Sequence, residues 1–159
     1  MANWCMNRVE FKANETQMKK IEQLFLQLSL AEFETKHGQL PDFAMDERGF
    51  MHDIEFEDGV LTYQTKWSPN TEVVLSIGKH FNVDLEYNFE EYGMEIFGFA
   101  LFENGTFTLF ELDQMDMQQI SFNQATSVYT FEGSDYELID EIVETLLFRK
   151  RIAQGGCSD

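Results

Sequence analysis

From Cys5 to Lys12 apolar and polar positions alternate: Cys5, Asn7, Val9 and Phe11 take one side, Met6, Arg8, Glu10 and Lys12 the other. A period of two is that of a strand with one buried face. Beyond Asn14 the period lengthens, and Met18, Ile21, Leu24, Phe25 and Leu28 recur at helical spacing. Asn14 followed three residues later by Gln17 has the form of a capping box. Leu30 and Phe33 extend or restart this helix. The breaker-rich GQLPDFAMDERG then reads as a long connection that carries no recognisable chemistry. Residues 51–57 and 60–67 form a hairpin about Asp58-Gly59, with Leu61, Tyr63, Thr65 and Trp67 on one face. Ser68-Pro69 reads as a helix start, Ser68 capping the first amides and Pro69 taking the first helical position. Val73, Val74, Ile77 and Phe81 make that helix's apolar stripe. Val83, Leu85, Tyr87 and Phe89 then alternate with Asp84, Glu86, Asn88 and Glu90 as a fourth strand.

The order strand, helix, strand, strand, helix, strand is the split βαβ, ferredoxin-like arrangement, in which the fourth strand lies beside the first, then the third, then the second. On the face away from the helices this order sets Asp84, Glu86 and Glu90 beside Arg8 and Lys12, and Lys66 near Glu55 and Glu57, as neutralising cross-strand pairs. A second hairpin follows, 94–103 and 106–112 about Asn104-Gly105. Its first strand is apolar on both faces, with Ile96, Ala100 and Phe102 on one and Phe97, Phe99 and Leu101 on the other. Such a strand is either covered or presented to a partner. A C-terminal helix offers cover: Ser134 with Glu137 has capping-box form, and Leu138, Ile139, Ile142, Val143, Leu146 and Leu147 form a broad stripe. Arg149 to Arg151 then suit the helix dipole. Residues 113–127 are polar and weakly patterned. The expected class is α+β: a ferredoxin-like βαββαβ core extended by a β-hairpin and a C-terminal helix. The core with its hairpin spans 1–112, an extension whose helix packs on the core spans 113–150, and 151–159 is a flexible tail.

Charge changes the picture more than length or apolar content. The 159 residues carry a net charge of −18. Residues 1–50 hold eight acids and six bases, whereas 52–148 hold twenty acids against Lys66 and Lys79 alone. A surface of this sign repels nucleic acid and anionic membranes and favours basic protein surfaces or cations. The start MANWCMNRVEF lacks the charge and apolar run of a leader, and no run is long enough to span a membrane. Cys5 and Cys157 stand at opposite ends, which fits a reduced, cytoplasmic protein better than a Cys5–Cys157 bridge.

Chemistry is sparse. Glycines are scattered, with no phosphate loop. His37, His52 and His80 lack paired ligand spacing, so a zinc site from them with Cys5 is disfavoured. Asp53, Glu55, Glu57 and Asp58 are split between faces by strand alternation and make a weak cation site. Glu90, Glu91 and Glu95 cluster at a turn and have the residue type for acid/base work, but no nucleophile or oxyanion group accompanies them. Asp113 to Asp116 is too short for a calcium loop. No catalytic residue, metal or cofactor is expected, and the protein reads as a non-enzyme.

Three motifs carry a resemblance: Met1-Ala-Asn3-Trp4-Cys5-Met-Asn7, Trp67-Ser68-Pro69, and Glu90-Glu91-Tyr-Gly93-Met94. Across about residues 1–112 the chain resembles the YubB-like ferredoxin-like domain family of plasmids, phages and other mobile elements. The resemblance implies the same α+β fold and no settled activity, so no catalytic residue transfers from it. Two functional expectations stand side by side. One is an acidic protein-binding module, an inhibitor of a host nucleic-acid-binding defence protein, using Glu90, Glu91, Glu95, Phe97 and Phe99 against a basic partner surface. The other is a small-molecule or cation-binding domain using the neighbourhood of Trp4 and Trp67 or the acidic turn at Glu90, Glu91 and Glu95. A third reading, a self-associating structural domain, makes strand 94–103 a homodimer contact.

Overall fold

Strand β1 (Trp4–Lys12) alternates between exposed and buried along its whole length, and the sheet is assembled outward from it. The computed structural model describes residues 3–155. Unit 1 runs to Leu109 and unit 2 begins at Phe110.

Helix α1 (Glu15–Thr35) starts on the expected capping box: Asn14 Oδ1 accepts from the Gln17 amide at 2.9 Å, and Gln17 Oε1 from the Asn14 amide at 3.1 Å. It continues through Leu30 and Phe33 to a left-handed Lys36. Strands β2 (His52–Glu57) and β3 (Val60–Lys66) meet at the Asp58-Gly59 turn, both of whose residues have positive φ, as the tight hairpin turn requires. Helix α2 (Thr71–Phe81) then leads to β4 (Asp84–Glu91), β5 (Ile96–Glu103) and β6 (Thr106–Glu111). Sheet order is β2-β3-β1-β4-β5-β6. The first four strands thus take the ferredoxin-like order, and the second hairpin adds two more at the β4 edge.

Val9 and Phe11 of β1, Leu61 and Tyr63 of β3, and Leu85 and Tyr87 of β4 bury against Ile21 and Phe25 of α1 and Val73, Val74 and Ile77 of α2. Each large side chain removed from water here contributes about 1.5–3 kcal/mol. On the other face the expected pairing holds in part. Lys12 meets Glu86 at 2.9 Å and Glu103 at 3.7 Å. Arg8 turns instead to Glu10 on its own strand, Asp84 accepts from the Asn104 amide, and Glu90 lies opposite Met6. Lys66 pairs with neither Glu55 nor Glu57: its partner across the ladder is Trp4, and its Nζ lies 5.8 Å from that ring.

Unit 2 holds a short helix α3 (Gln114–Met117), a meander of β7 (Ser121–Asn123), β8 (Val128–Phe131) and β9 (Ser134–Tyr136), and helix α4 (Ile139–Gly155). Three expectations are corrected. Ser134 begins a strand rather than capping a helix, because Glu132 and Gly133 both adopt positive φ and return the chain along β8. Residues 151–155 are helical rather than tail, while Cys157 and the rest of 156–159 lie outside the described residues. Arg149 and Lys150 therefore precede the last turn and form specific pairs. Arg149 grips Glu132 through two bonds of 2.6 and 2.9 Å, and Lys150 reaches Asp116 at 2.7 Å and Asp113 at 3.2 Å. Among the described residues no helix is long and apolar enough to cross a membrane.

Candidate functional site

A chain of buried polar side chains runs beneath one end of the sheet. Asn7, on the buried face of β1, donates to the Cys5 carbonyl at 2.9 Å and to Thr65 Oγ1 at 3.0 Å, and accepts from the Tyr87 hydroxyl at 2.6 Å. Thr65 donates onward to the Ser68 carbonyl at 2.7 Å. Tyr63 donates to Asn70 Oδ1 at 2.6 Å, and Asn70 Nδ2 donates to the Gly49 carbonyl at 2.8 Å. No buried side-chain N or O among the described residues lacks a partner. Such a fully satisfied network holds the segments it touches in one arrangement. Those segments are the 36–51 connection, through Gly49, and the turn after β3, through Ser68.

Between these two segments lies an open cleft of about 680 Å³, bordered by His37, Gly38, Glu47, Arg48, Phe50, His52, Lys66, Trp67 and Ser68. Its walls are positioned from the backbone outward. The Arg48 amide donates to Asp46 Oδ1 at 2.9 Å and the Gly49 amide to the Asp46 carbonyl, fixing the turn that presents Arg48. A bulge in β2 leaves Asp53 at φ +51. Glu32 of α1 accepts the freed amides of Asp53 and Ile54 at 2.8 and 3.1 Å. Bulges re-aim neighbouring side chains, and His52 here packs edge-on to Trp4 with ring centres 5.1 Å apart. Burial, with the Lys66 charge adding to it, lowers the His52 pKa below its ordinary value and so favours the neutral imidazole.

Trp67 carries the least ordinary geometry of the site. Its φ is +71, and the Ser68 amide donates back to the Lys66 carbonyl at 2.9 Å, closing a three-residue turn about it. With positive φ that turn is the rare, strained form, and a bulky side chain in this region is an outlier. The Trp67 amide is tied to the Asn3 carbonyl at 2.8 Å, and the indole stays 49 % exposed at the cleft.

The sequence-derived candidates separate. Trp4, 42 % exposed, and Trp67 lie at the same end of adjacent strands as expected, with Trp4 opposite Lys66. Trp67, however, has left the strand face it was expected to share with Tyr63. Ser68 is not a cap: helix α2 begins after Asn70, whose side chain bonds inward and leaves the helix without a side-chain cap. Glu91 is corrected from a surface carboxylate to a buried one. It is 3 % exposed and accepts from the Gly93 and Met94 amides at 2.8 and 2.6 Å. Glu90 accepts from the Tyr92 hydroxyl, and Glu95 is exposed at φ +57. Phe97 is 2 % exposed, edge-on to Tyr92, and Phe99 is half-buried, so neither is an open binding surface. His37 and His52 border the cleft, whereas His80 stacks on Phe43 with ring centres 3.8 Å apart and Cys5 is buried. Among the described residues no group of three or more His, Cys, Asp or Glu could hold a metal ion. Sequence reasoning missed Asn70 and the cleft side of the 36–51 connection. The available signal was His37, Arg48 and Phe50 gathered near breakers in an otherwise acidic chain.

Burial pushes the Cys5 thiol up to about 11, so the thiolate is scarce at neutral pH. Cys5 is therefore expected to resist iodoacetamide at pH 8 in the folded protein and to react after urea unfolding, as read by peptide mass mapping. Rapid labelling of the folded chain at Cys5 would contradict the buried setting.

Comparison with curated proteins and with solved structures finds no match for the chain. A family model described as a ferredoxin-like domain in Api92-like protein matches residues 41–132, a span that contains β2 to β6 and most of the cleft's border.

Proposed function

Since the chain belongs to the family of ferredoxin-like domains found in Api92-like proteins, we propose that it is a non-enzymatic binding domain whose site is the Trp67 cleft. The observation that carries this reading is the strained turn at Trp67. A backbone conformation that costs on the order of 1–3 kcal/mol persists where the surroundings enforce it, and such strain clusters at ligand sites. Here it holds an indole half in solvent beside a concavity of ligand size. The finer affiliation, to YubB-like proteins of mobile elements, rests on the Asn3-Trp4-Cys5, Trp67-Ser68-Pro69 and Glu90-Glu91 motifs. The first motif supplies the Trp67 amide's partner, the second the cleft wall. A cytoplasmic setting accords with the unpaired Cys5 thiol.

The test is a thermal-shift panel of neutral, cationic and anionic small molecules, run on the wild type and on Trp67→Gly. Glycine relieves the positive φ while removing contacts of a half-exposed indole, two effects of about 1–2 kcal/mol and opposite sign. Trp67→Gly is therefore expected to melt within a few degrees of the wild type and to lose any stabilisation a compound gives. A panel without one wild-type hit, or hits unaffected by Trp67→Gly, would remove the cleft as the site.

A second reading is the acidic module that binds a basic protein. It is favoured by the net charge of −18 and by the exposed Glu95 with the half-exposed Glu90 at one end of the sheet. Its surface is smaller than the sequence suggested, since Glu91 and Phe97 are buried. Glu90→Lys with Glu95→Lys would abolish a salt-sensitive interaction of this kind.

A further inference from the structure

We infer that the cleft takes a nucleoside monophosphate, its base on the Trp67 and Phe50 rings and its phosphate between Arg48 and Lys66. This deepens the proposed function and rests on the cleft being the binding site. The first ground is charge. In a chain of −18, the cleft gathers Arg48 and Lys66 against Glu47 alone, with the imidazoles of His37 and His52 as further hydrogen-bonding groups. Arg48 is the one arginine between Arg8 and Arg149, and Lys66 is one of two bases in the whole of residues 52–148. Among the described residues no carboxylate comes within ion-pair distance of either, as is also so of Lys20, Lys36 and Lys79, but Arg48 and Lys66 are the two that border the cleft. Two cations without a carboxylate partner at one concavity of an acid-rich protein match an anionic ligand group, and a guanidinium suits phosphate by its planar fork.

The second ground is the pair of rings. Phe50 and Trp67 are both more than two-fifths exposed and border the same space. Exposed aromatic faces beside a cation make a stacking platform for a planar base. Size and net charge then choose within the chemistry. A cleft of about 680 Å³ lies in the range that holds single small molecules. The acidic surface around it repels a polyanion far more than a ligand bearing about two charges. A mononucleotide satisfies all of these conditions, and a nucleic-acid strand does not.

The experiment measures binding of the four ribonucleoside 5′-monophosphates to the full chain by calorimetry, beside adenosine, inorganic phosphate and a single-stranded DNA decamer. At least one monophosphate is expected to bind about tenfold or more tightly than adenosine or phosphate alone, since base and phosphate act together. Arg48→Ala and Lys66→Ala are each expected to weaken it about tenfold or more without moving the melting temperature of the free protein, as loss of a charge-assisted bond implies. No monophosphate binding, with a neutral or cationic compound from the earlier panel binding in a Trp67-dependent way, overturns the ligand class and leaves the cleft standing. Absence of binding by every compound in both sets overturns both. A decamer that binds more tightly than any mononucleotide overturns the choice of a single nucleotide over a strand.

Discussion

Replacing Asn70 with alanine is expected to lower the unfolding free energy by about 3 kcal/mol. The residue is 3 % exposed and its side chain accepts from the Tyr63 hydroxyl at 2.6 Å and donates to the Gly49 carbonyl at 2.8 Å. Alanine removes the acceptor of the buried Tyr63 hydroxyl and the side-chain donor to a buried peptide carbonyl, and losing the partner of such a group costs about 1–3 kcal/mol. Helix capping does not enter the sum, because the Asn70 side chain makes no cap bond. The expectation is therefore larger than the ~1 kcal/mol typical of a lost cap. Tyr63→Phe removes the donor instead and is expected to cost less, and Tyr63→Phe with Asn70→Ala to cost less than the sum, because the two share one bond. Urea unfolding followed by circular dichroism measures all three. A loss below about 1 kcal/mol for Asn70→Ala would mean that water or a relaxed backbone replaces the bonds. Trp67 fluorescence, read in a Trp4→Phe background, adds a local readout, since Gly49 neighbours Arg48 and Phe50 at the opposite wall of the cleft.

What the sequence made legible follows the range of the forces involved. The β1 alternation, the Asn14–Gln17 box and the Asp58-Gly59 and Asn104-Gly105 turns are set within a few residues, and each stands where its pattern puts it. The ferredoxin-like strand order followed from the succession of elements. Errors arose where a distant partner outbids a local one. Ser68-Pro69 is a sound helix start by local chemistry, but Thr65 takes the Ser68 carbonyl and Asn70 is drawn to Tyr63 and Gly49, so the helix begins later. Ser134 and Glu137 matched a capping box whose preceding Glu132-Gly133 turn enforces a strand instead. Glu91 was recoverable from the chain itself. It continues the Leu85, Tyr87, Phe89 period and so falls on the buried face, while reading it with Glu90 and Glu95 as one cluster ignored strand parity. The cleft was not recoverable in full. Its walls are separated in sequence and are brought together by the Asn70 bond to Gly49, the Gln39–Met51 bridge and the β2–β3 register.

Gly98→Ala is expected to destabilise the fold by about 3 kcal/mol or more, at the upper end of what overpacking costs. A methyl at this position would sit 2.0 Å from Phe89 Cζ, 2.5 Å from Cε2 and 2.8 Å from Cε1. Gly98 faces Phe89 directly across the β4–β5 ladder, so the absence of a side chain is what lets the ring lie flat against β5. Clashes with a side-chain tip are cheap when the tip can swing away. This one has little freedom, because the ring is buried and leans on Tyr87 with centres 5.3 Å apart, and Tyr87 is tethered through its hydroxyl to Asn7. Relief must come from β4 or β5 moving, or from Tyr87 letting go of Asn7. The second route loosens the Asn7 bond to Thr65 and, through Thr65, the Ser68 carbonyl beside Trp67. Gly98→Ala should therefore also change Trp67 fluorescence, read in a Trp4→Phe background, although the atoms nearest the added methyl all belong to Phe89. Phe89→Leu alone leaves a void, but in combination with Gly98→Ala it frees the space the methyl needs. The double variant is expected to be more stable than Gly98→Ala alone, a sign of coupling that independent defects cannot produce. A Gly98→Ala protein within about 0.5 kcal/mol of the wild type would show that the strands separate easily here and that the Phe89 contact does not set their spacing.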